Sequence, residues 1–537
     1  MTQAKEDSAT NTSTKDGLIG ALQNPDLYDH PVNGFSVIET HISWVLLTGN
    51  YVYKIKKPVD LGFVDFTTLA KRQYYCNEEL RLNKRFAPEI YLELVSIHGS
   101  PEQPSIGGHG EAIEYAVKMK QFLQQGLLST LASEHKLRPC HIDHLANLVA
   151  KVHSEVDCVE PEQGVDEDEI GSVKMISKWC RENFTTIENS LPKLLFPDNY
   201  RRIKTWSLAP NKKRLANMKQ RLAHGFIREC HGDLHLANIV LIDNQVQLFD
   251  CLEFNAELRW IDTMSDVAFV AMDLSVHGDT ELAWRFINRY LDITGDFHGL
   301  AIFRYYFVYR AMVRAKVEAL RITQKYPTAT GDSEIAPASL PYLKLAHEWI
   351  GNYRPAIIVM HGLSGSGKST VASQLVEQIG AIQIRSDLER KRIFGLEAED
   401  DSSSELDQGI YNSDATQQTY HHLALLARQI VLAGFTVIVD ASFLKLNHRN
   451  QFKQLALANQ TAHLVISCEA PEDQLRERIV HRSATQNDPS EANIAILEKQ
   501  LKSQDKLSIE ELTDTYTIIC TEPALNTEQL QAITQHI

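Results

Sequence analysis

The sequence predicts two domains: an α+β domain with a small strand-rich lobe and a larger helical lobe, then an α/β domain with a parallel, doubly wound sheet. Three observations support this prediction. The chain has 537 residues, which is too long for one ordinary domain. Strand patterns come early in the first region, and helical patterns follow them. Beyond Pro355, apolar strand runs alternate with helical stretches, as in sheets whose parallel strands are joined by helices.

The boundaries follow from composition. We place the first domain at residues 16–345, a linker at 346–354 and the second domain at 355–537. Residues 327–341 are enriched in Thr, Gly, Ser and Pro, which predicts a loop or part of the linker. Residues 1–15 are polar and lack the apolar core of a secretory signal, so we expect a disordered tail.

Composition also excludes several classes of protein. The content of 43% hydrophobic and 23% charged residues is typical of a soluble globular protein. The net charge of −15 argues against an extended nucleic-acid or anionic-membrane surface, although a local basic groove is compatible with it. The eight cysteines are scattered without a C-x-x-C pair, which argues against zinc and disulfide frameworks. No apolar run approaches the roughly 18 residues of a membrane span, so we expect a cytoplasmic protein without a membrane partner.

The small lobe is predicted from two strands and a helix. The stretch WVLLTGNYVYKIKK forms two strands around a Thr-Gly-Asn turn, and Lys54 and Lys56 share a face of the second strand because side chains alternate. Lysines on an inner face need an anion, such as a nucleotide phosphate; the alternative is an exposed edge strand. In the helix that follows, Glu79, or less favourably Glu78, would pair with Lys54. The alternative leaves both glutamates in solvent.

The larger lobe follows a connecting strand at Tyr115–Phe122. Helical spacing is strong at His141–Val156, where His153 is interpreted as a packed structural histidine rather than a ligand. The helix at Asn211–Arg221 is rich in Lys and Arg. We interpret it as a solvated face, and the alternative is a binding surface for a phosphate-rich substrate.

The most informative stretch of the first domain is His231–Asp250, HGDLHLANIVLIDNQVQLFD. It places His231, Asp233, Asn238 and Asp250 in an H-x-D-x-x-x-x-N … D order, and a hairpin turn would bring Asp250 back beside Asn238. An ATP-dependent phosphotransferase needs such a set: one carboxylate to hold a substrate hydroxyl, then an amide and a second carboxylate to hold Mg²⁺. The alternative is a loop and hairpin with incidental polar residues.

The second domain opens with a β-rich run, a glycine-rich segment and a helix that extends to Ile379. The segment matches G-x-x-x-x-G-K-S in the required strand–loop–helix context. Its backbone N–H groups would cradle phosphate, Lys368 would neutralise the β- and γ-phosphates, and Ser369 would ligate Mg²⁺. The alternative is a chance glycine-rich turn. The predicted nucleotide-binding residues are Gly362, Leu363, Ser364, Gly365, Ser366, Gly367, Lys368, Ser369 and Thr370.

Carboxylates and arginines accompany this phosphate loop. Asp387 follows the second strand pattern and would accept a proton from a substrate hydroxyl; the alternative is a helix N-cap, and both roles can hold together. Asp440 ends the third strand pattern and would order magnesium through water. Arg476, Arg478 and Arg482 lie within two helical turns and would close over the transferring phosphoryl group, with Arg482 assigned as catalytic. We expect at least one of the three to be only a surface ion-pair partner.

Residues of roughly 35–325 resemble the aminoglycoside phosphotransferase (choline-kinase-like) family, through HGDLHLAN, Phe249-Asp250 and the loose V-A-I-K of Tyr51–Lys54. The resemblance implies a bilobal, protein-kinase-like fold. It also implies Asp233 as catalytic base, Asn238 and Asp250 as metal ligands, and Lys54 as the phosphate lysine. Two departures stand out: no G-x-G-x-x-G loop precedes Lys54, and Cys-Leu-Glu follows Asp250 in place of Phe-Gly.

Residues of roughly 354–537 resemble the small P-loop kinases grouped with zeta-toxin-like, gluconate-kinase-like and polynucleotide-kinase-like proteins. The similarity rests on GLSGSGKST, Arg385-Ser386-Asp387, Val439-Asp440 and the arginines ahead of residues 488–492. The order of the two modules is similar to that of bacterial bifunctional aminoglycoside phosphotransferase/ATP-binding proteins. In such names "aminoglycoside" reports fold ancestry and is weak evidence of substrate.

These patterns predict an enzyme with two separate ATP–Mg²⁺ sites, each transferring the γ-phosphate of ATP to a hydroxyl of a small molecule. One alternative is a pseudokinase sensor joined to an ATP-hydrolysing P-loop switch. Another is a nucleic-acid 5′-kinase in the second domain, which the acidic balance disfavours. The sequence names neither acceptor, nor the coupling between the modules, nor the oligomeric state.

Overall fold

The computed structural model of the protein describes residues 17–62, 64–159, 171–190, 198–325, 338–397, 400, 409–485, 493–520 and 525–535. The predicted tail and most of the predicted loop at 327–341 lie outside these residues. The chain divides into two compact units that do not follow chain order. Unit 1 comprises residues 1–141, 151–176 and 222–266, and unit 2 comprises residues 142–150, 177–221 and 267–537. The domain boundaries placed at 345 and 355 stay a prediction.

Unit 1 contains a six-stranded antiparallel sheet in the order β1-β2-β3-β6-β4-β5. The β2–β3 hairpin confirms the predicted strand pair, and β6 confirms the predicted connecting strand, which lies between β3 and β4. Two short antiparallel pairs, β7 with β10 and β8 with β9, carry the segments that flank the HGDLHLAN stretch. The strands of unit 1 are β1 (Ser36–Glu39), β2 (Ser43–Leu47), β3 (Tyr51–Lys56), β4 (Tyr91–Ser100), β5 (Gln103–Ile106), β6 (Ala112–Lys120), β7 (Ile227–Glu229), β8 (Ile239–Ile242), β9 (Gln245–Leu248) and β10 (Trp260–Asp262).

The predicted hairpin between β8 and β9 is confirmed. Asp243 and Asn244 have φ values of 50° and 61°, the left-handed conformation that both central residues of a two-residue type I′ hairpin require. Asn and Asp tolerate this conformation better than other non-glycine residues. The local sequence therefore sets the register that returns the chain to Asn238.

Unit 2 contains a five-stranded parallel sheet in the order β12-β13-β11-β14-β15. β11 lies at its centre and is almost continuously buried, as expected for a parallel strand covered on both faces. The prediction of a parallel, doubly wound sheet is confirmed. The strands are β11 (Ala356–His361), β12 (Ile382–Arg385), β13 (Val437–Asp440), β14 (Ala462–Glu469) and β15 (Thr515–Ile519).

Helices occupy most of the remaining described chain, and no helix among the described residues has the length and apolar character needed to cross a bilayer. The α-helices after residue 60 are α1 (Leu69–Asn83), α2 (Leu128–Ser133), α3 (Pro139–Glu155), α4 (Val173–Ser190), α5 (Asp198–Leu208), α6 (Lys212–Ala223), α7 (Ala256–Arg259), α8 (Thr263–Val276), α9 (Thr280–Thr294), α10 (Leu300–Lys325), α11 (Leu340–Trp349), α12 (Lys368–Ile379), α13 (Ser386–Ile393), α14 (Ser413–Leu432), α15 (Leu446–Ala458), α16 (Glu472–Thr485), α17 (Ile494–Ser503), α18 (Ile509–Leu512) and α19 (Thr527–Gln535).

An aromatic cluster joins α9, α10 and α11 to the parallel sheet region inside unit 2. Trp349 stacks on Phe307 with ring centroids 3.7 Å apart, and lies 5.9 Å from Trp284 and 6.5 Å from Phe435. Trp349 falls in the stretch that the sequence predicted as a linker, yet it ends a helix and its half-buried ring packs on the buried Phe307. Helices ahead of residue 350 and the sheet after it therefore share apolar packing.

The basic helix α6 is less exposed than predicted. Lys212, Lys213 and Lys219 are exposed, as a solvated face requires. Arg221 has no exposed surface, and its guanidinium donates hydrogen bonds of 2.7 and 2.8 Å to the two oxygens of Asp296. The prediction of a solvated face is wrong for Arg221, because a buried bidentate partner offsets its desolvation.

Candidate active sites

The loop that begins at His231 is held from two directions in unit 1. The carboxylate of Asp266 accepts hydrogen bonds from the backbone N–H groups of His231, at 2.9 Å, and Gly232, at 3.2 Å. The Nε2 atom of His231 bonds to the carbonyl oxygen of Phe249 at 2.9 Å. Burial lowers the pKa of His231, so the ring is neutral at pH 7 and Nε2 carries the donated proton. These bonds fix the loop against the end of β9.

The three residues of the predicted catalytic set lie together. The amide Nδ2 of Asn238 donates to the backbone oxygen of Asp233 at 3.0 Å and to its Oδ2 at 3.2 Å. The backbone N–H of Phe249 donates to the carbonyl oxygen of Asn238, which places Asp250 beside Asn238 as predicted. The side chains of Asp233 and Asp250 are 38% and 43% exposed, so both carboxylates are open to a ligand.

Lys54 connects this set to α1. Its Nζ lies 2.7 Å from Oε1 of Glu79 and 2.5 Å from Oδ1 of Asp250. The predicted pairing with Glu79 is confirmed, and Glu78 pairs instead with Arg81 at 2.9 Å. Burial alone would lower the pKa of Lys54. The neighbouring carboxylates of Asp250 and Glu79 have the larger effect and raise this pKa above its ordinary value.

Lys56 is the main residue of the site whose partners the sequence did not identify. It is fully buried, with Nζ 2.7 Å from Oε2 of Glu79 and in contact with the carboxylate of Glu253. The edge-strand alternative is wrong, since β3 lies between β2 and β6. Burial raises the pKa of Glu253, and Lys56 opposes that shift. The anionic partners of Lys56 are therefore two carboxylates, those of Glu79 and Glu253.

The backbone at Asp250 is held in a left-handed conformation, with φ of 60°. Its N–H donates to the hydroxyl of Tyr91 at 3.0 Å, and the next N–H, of Cys251, donates to Oδ1 of Asn83 at 2.8 Å. A non-glycine residue persists in this conformation only where its surroundings over-determine it. Tyr91 and Asn83 do so here, and no local sequence signal points to them.

The oxygen donors of this site fit a hard cation. Mg²⁺ prefers carboxylate and carbonyl oxygens, and the partly exposed carboxylate of Asp250 belongs to the residue after Phe249, whose N–H bonds to the backbone of Asn238. The Nδ2 of Asn238 is turned towards Asp233, which orients the amide oxygen away from that carboxylate. Asn238 and Asp250 would therefore hold the ion, as the sequence predicted.

The phosphate loop of unit 2 runs between β11 and α12. A Cβ atom on Gly362 would lie 2.4 Å from the carbonyl oxygen of Cys468, so only glycine fits there. Gly367 has a φ of 95° and directly precedes α12, whose first turn contains Lys368 and Ser369. The first N–H groups of this helix point towards the loop, the arrangement that binds phosphate.

Asp440 lies against the start of α12. Its carboxylate accepts hydrogen bonds from the hydroxyl of Ser369 and, at 3.0 Å, from Nε2 of Gln383. Burial raises the pKa of Asp440, and the charge of Arg385 opposes that shift. The contact between the Ser369 hydroxyl and the Asp440 carboxylate fits the prediction that Ser369 would bind Mg²⁺ directly and Asp440 would bind it through a water molecule.

Asp387 is the second residue of α13, and the residue before that helix is Arg385, without a side-chain cap. The N-cap alternative for Asp387 is therefore wrong. Burial raises the pKa of both Asp440 and Tyr420, and the charge of Asp387 adds to each shift.

The predicted lid arginines divide into three cases. Arg478 donates to the carbonyl oxygens of Gly365, at 3.3 Å, and Cys520, at 2.7 Å, and so lies against the phosphate loop. Arg476 is partly exposed and pairs with the exposed Glu472 at 2.8 Å, which confirms that one of the three is a surface ion-pair partner. Arg482 lies in α16, but its side chain is outside the described residues.

His153 packs in the interior, with Nε2 3.6 Å from Oδ2 of Asp266, which confirms the prediction of a structural histidine. Cys230 completes a cluster whose ligand atoms lie within 4.8 Å of one another. Both oxygens of Asp266 already accept backbone N–H groups, so the arrangement is that of a packed support for the loop.

Comparisons with known proteins cover most of the chain. Residues 357–507 match the family model described as AAA domain. The uncharacterized proteins Rv2004c of Mycobacterium tuberculosis and Mb2027c of Mycobacterium bovis are each 30% identical to this chain over 488 residues, which is 90% of this chain and 91% of the relative. With the sheet order and the phosphate loop, the family match confirms the P-loop fold of the second region.

Solved structures that match part of this chain include a choline/ethanolamine kinase family protein from Mesorhizobium loti, 9% identical, covering 63% of this chain and 94% of that one, with a TM-score of 0.37. A putative kinase from Chloroflexus aurantiacus is 22% identical and covers 34% of this chain and 99% of that one, with a TM-score of 0.27. A gluconokinase from Sinorhizobium meliloti is 22% identical and covers 34% and 90%, with a TM-score of 0.24.

Proposed function

The chain belongs to the same family as the mycobacterial protein Rv2004c, and we propose that it is an ATP-dependent phosphotransferase with two Mg²⁺–ATP sites. Each site would transfer the γ-phosphoryl group of ATP to a hydroxyl of a small molecule. The observation that carries the proposal is the convergence of Lys54, Glu79 and Asp250 beside Asn238 and Asp233. The protein would act in the cytoplasm, where its eight free cysteines would stay reduced.

In the first site, Asp233 would take the proton of the acceptor hydroxyl while the hydroxyl oxygen forms a bond to the γ-phosphorus. The bond from that phosphorus to the β,γ-bridging oxygen breaks, and ADP leaves with the electron pair. Lys54, oriented by Glu79, would neutralise the phosphate oxygens. Mg²⁺, held by Asn238 and Asp250, would supply neutralisation of the charge that develops on the phosphates.

In the second site, the loop from Gly362 to Thr370 would hold the phosphates of ATP. Lys368 now donates to the carbonyl oxygen of Leu363 at 2.8 Å and would exchange that bond for a phosphate oxygen. Asp387 would receive the acceptor proton, since it lies in the first turn of α13, directly after β12, whose last residue pairs with Asp440. Groups positioned in this way typically account for about 10²–10³ in rate each.

The test uses full-length protein with Asp233→Asn and Lys368→Ala, made singly and together. ADP formation would be measured with a pool of small hydroxyl metabolites present and absent. We expect each single variant to keep one part of the metabolite-dependent turnover and the double variant to lose all of it. Asp243→Asn, in the exposed hairpin turn, and Lys344→Ala, on the exposed face of α11, serve as matched controls.

The outcome decides between models. If each single variant lost all ATP turnover, two independent sites would be wrong. ATP hydrolysis that is abolished by Lys368→Ala but indifferent to every metabolite would instead favour an ATP-driven switch in the second region.

A further inference from the structure

A polar cleft of about 910 Å³ lies in unit 2, at the first turns of α14 and α15. This is the size range of small-molecule sites. Its walls include Thr416, Gln417 and Tyr420 from α14 and His448 and Gln451 from α15. None of these residues was predicted as functional from the sequence.

Hydrogen bonds connect one wall of the cleft to the phosphate loop. The hydroxyl of Tyr420 accepts from the backbone N–H of Phe443 at 3.2 Å and lies 3.5 Å from the hydroxyl of Ser442. The carbonyl oxygen of Ser442 accepts from the backbone N–H of Gly362, the first residue of the loop, at 3.1 Å. These bonds run from the wall of the cleft, through the segment that follows β13, to the first residue of the phosphate loop.

The proposed base lies at the junction. Asp387 is half-buried and lies one turn before Arg390 in α13, and Nη1 of Arg390 donates to the carbonyl oxygen of Ile410 at 2.7 Å, next to Tyr411 in the wall of the cleft. Arg385, two residues before Asp387, pairs with Asp440 in the ladder between β12 and β13, so the start of α13 adjoins the end of the strand that carries Asp440. A hydroxyl entering from the cleft would meet Asp387 and the γ-phosphate together.

The chemical groups that line the cleft indicate which class of molecule can bind in it. Amide, hydroxyl and imidazole groups predominate, and the described lining residues include one cation, Lys499, and no carboxylate. Tyr420 and His448 are stacked, with ring centroids 3.7 Å apart, and form an aromatic platform. Such a surface offers many neutral hydrogen bonds and a flat face for C–H groups. A nucleic-acid strand would require several cations to contact its phosphates.

We propose that this cleft binds the acceptor of the second site, and that the acceptor is a polyhydroxyl compound of monosaccharide size, neutral or with one negative charge. The proposal rests on the phosphotransferase function proposed above. One acceptor hydroxyl loses its proton to Asp387 as its oxygen bonds to the γ-phosphorus. The bond to the bridging oxygen breaks, and the products are a phosphomonoester and ADP.

The test uses the full chain carrying Asp233→Asn, so that transfer at the first site is removed. Radiolabelled ATP is offered with hexoses, pentoses, cyclitols and sugar acids, and separately with a 5′-hydroxyl oligonucleotide and a serine peptide. Gln417→Leu and Gln451→Leu alter the cleft. Gln418→Leu, an exposed glutamine next to Gln417 that does not line the cleft, is the matched control.

We expect label in one or more polyhydroxyl compounds. Each cleft variant should reduce kcat/KM for that compound about tenfold, the loss expected for one neutral hydrogen bond, while Gln418→Leu leaves it unchanged. Binding of a fluorescent ATP analogue should be equal in all three.

Two results would overturn the inference while the proposed function stands. One is label only in the oligonucleotide or the peptide. The other is equal kcat/KM for the cleft variants and for Gln418→Leu. Failure of the Asp233→Asn protein to bind the ATP analogue would overturn the proposed function itself, and the inference with it.

Discussion

Lys56 gives the sharpest test of the first site because its charge is fully enclosed. Its Nζ contacts Glu79 and Glu253, and neither the lysine nor Glu79 has exposed side-chain surface. In Lys56→Met, Glu79 keeps Lys54, but Glu253 loses the cation that it contacts. Breaking a buried ion pair from one side typically costs about 3–5 kcal/mol.

A second estimate comes from protonation. The variant can relieve the unpaired charge by protonating Glu253, and doing so at pH 7 from an ordinary pKa of 4.5 costs about 3.4 kcal/mol. We therefore expect Lys56→Met to destabilise unit 1 by about 3 kcal/mol. For a unit of about 150–250 residues this lowers the melting temperature by about 6–12 °C.

The double variant Lys56→Met/Glu253→Gln removes both charges, so it should recover most of the loss, with a coupling energy of about 2 kcal/mol or more. Thermal unfolding of the full-length protein is the assay, and Lys120→Met, at the exposed end of β6, is the control. In Lys56→Met the raised pKa of Glu253 makes its charged form the unfavourable one. The difference between single and double variants should therefore shrink as the pH falls towards 4.5. Equal stability of the single variant and the wild type at pH 7 would refute this reasoning.

Three further predictions concern unit 2. Trp349→Ala should cost about 2 kcal/mol in thermal unfolding, because it removes a half-buried ring from an aromatic cluster; a loss below about 0.5 kcal/mol would contradict the shared packing. Asn288→Ala removes the hydrogen bonds to the Ala381 carbonyl oxygen, 2.9 Å, and from the Gln383 N–H, 2.7 Å. The strand that positions Gln383 against Asp440 should then be held less firmly, and nucleotide titration should show Mg²⁺–ATP binding weakened about tenfold. Burial lowers the pKa of His463 to about 4. Since the unfolded ring takes up its proton near pH 6.5, stability should fall as the pH drops from 6.5 to 4, by up to about 3 kcal/mol, and His463→Phe should flatten that dependence.

The sequence predicted those features that are local. The β3 alternation placed Lys54 and Lys56 on one face, and the Asp243-Asn244 turn brought Asp250 back to Asn238. The phosphate loop is recognisable because its strand, glycines and helix are contiguous. In each case the interacting residues lie within one or two neighbouring elements, so periodicity and turn chemistry suffice.

The features that the sequence did not predict depend on contacts between distant parts of the chain. Glu253 reaches Lys56 across 197 positions, and Asn288 reaches Gln383 across 95. Trp349 lies in a stretch whose composition predicts a linker, and only tertiary packing shows that its ring stacks on the buried Phe307. Likewise the acceptor cleft is assembled from two helix ends whose polar residues look like ordinary solvated positions.

Because Glu79 also pairs with the buried Lys56, it can orient Lys54 without binding that lysine too strongly. Each oxygen of Glu79 faces a different lysine, Oε1 with Lys54 and Oε2 with Lys56. The two lysines balance two of the three carboxylates, Glu79 and Glu253, which leaves one negative charge associated with Asp250. That charge is the one partly open to solvent, and it is the one that a magnesium ion would meet. The buried ion pairs of Glu79 and Glu253 with the two lysines thus leave the net negative charge of the site at Asp250, where a cation is needed. Lys54 can therefore move from Asp250 to a phosphate without leaving a buried carboxylate unpaired.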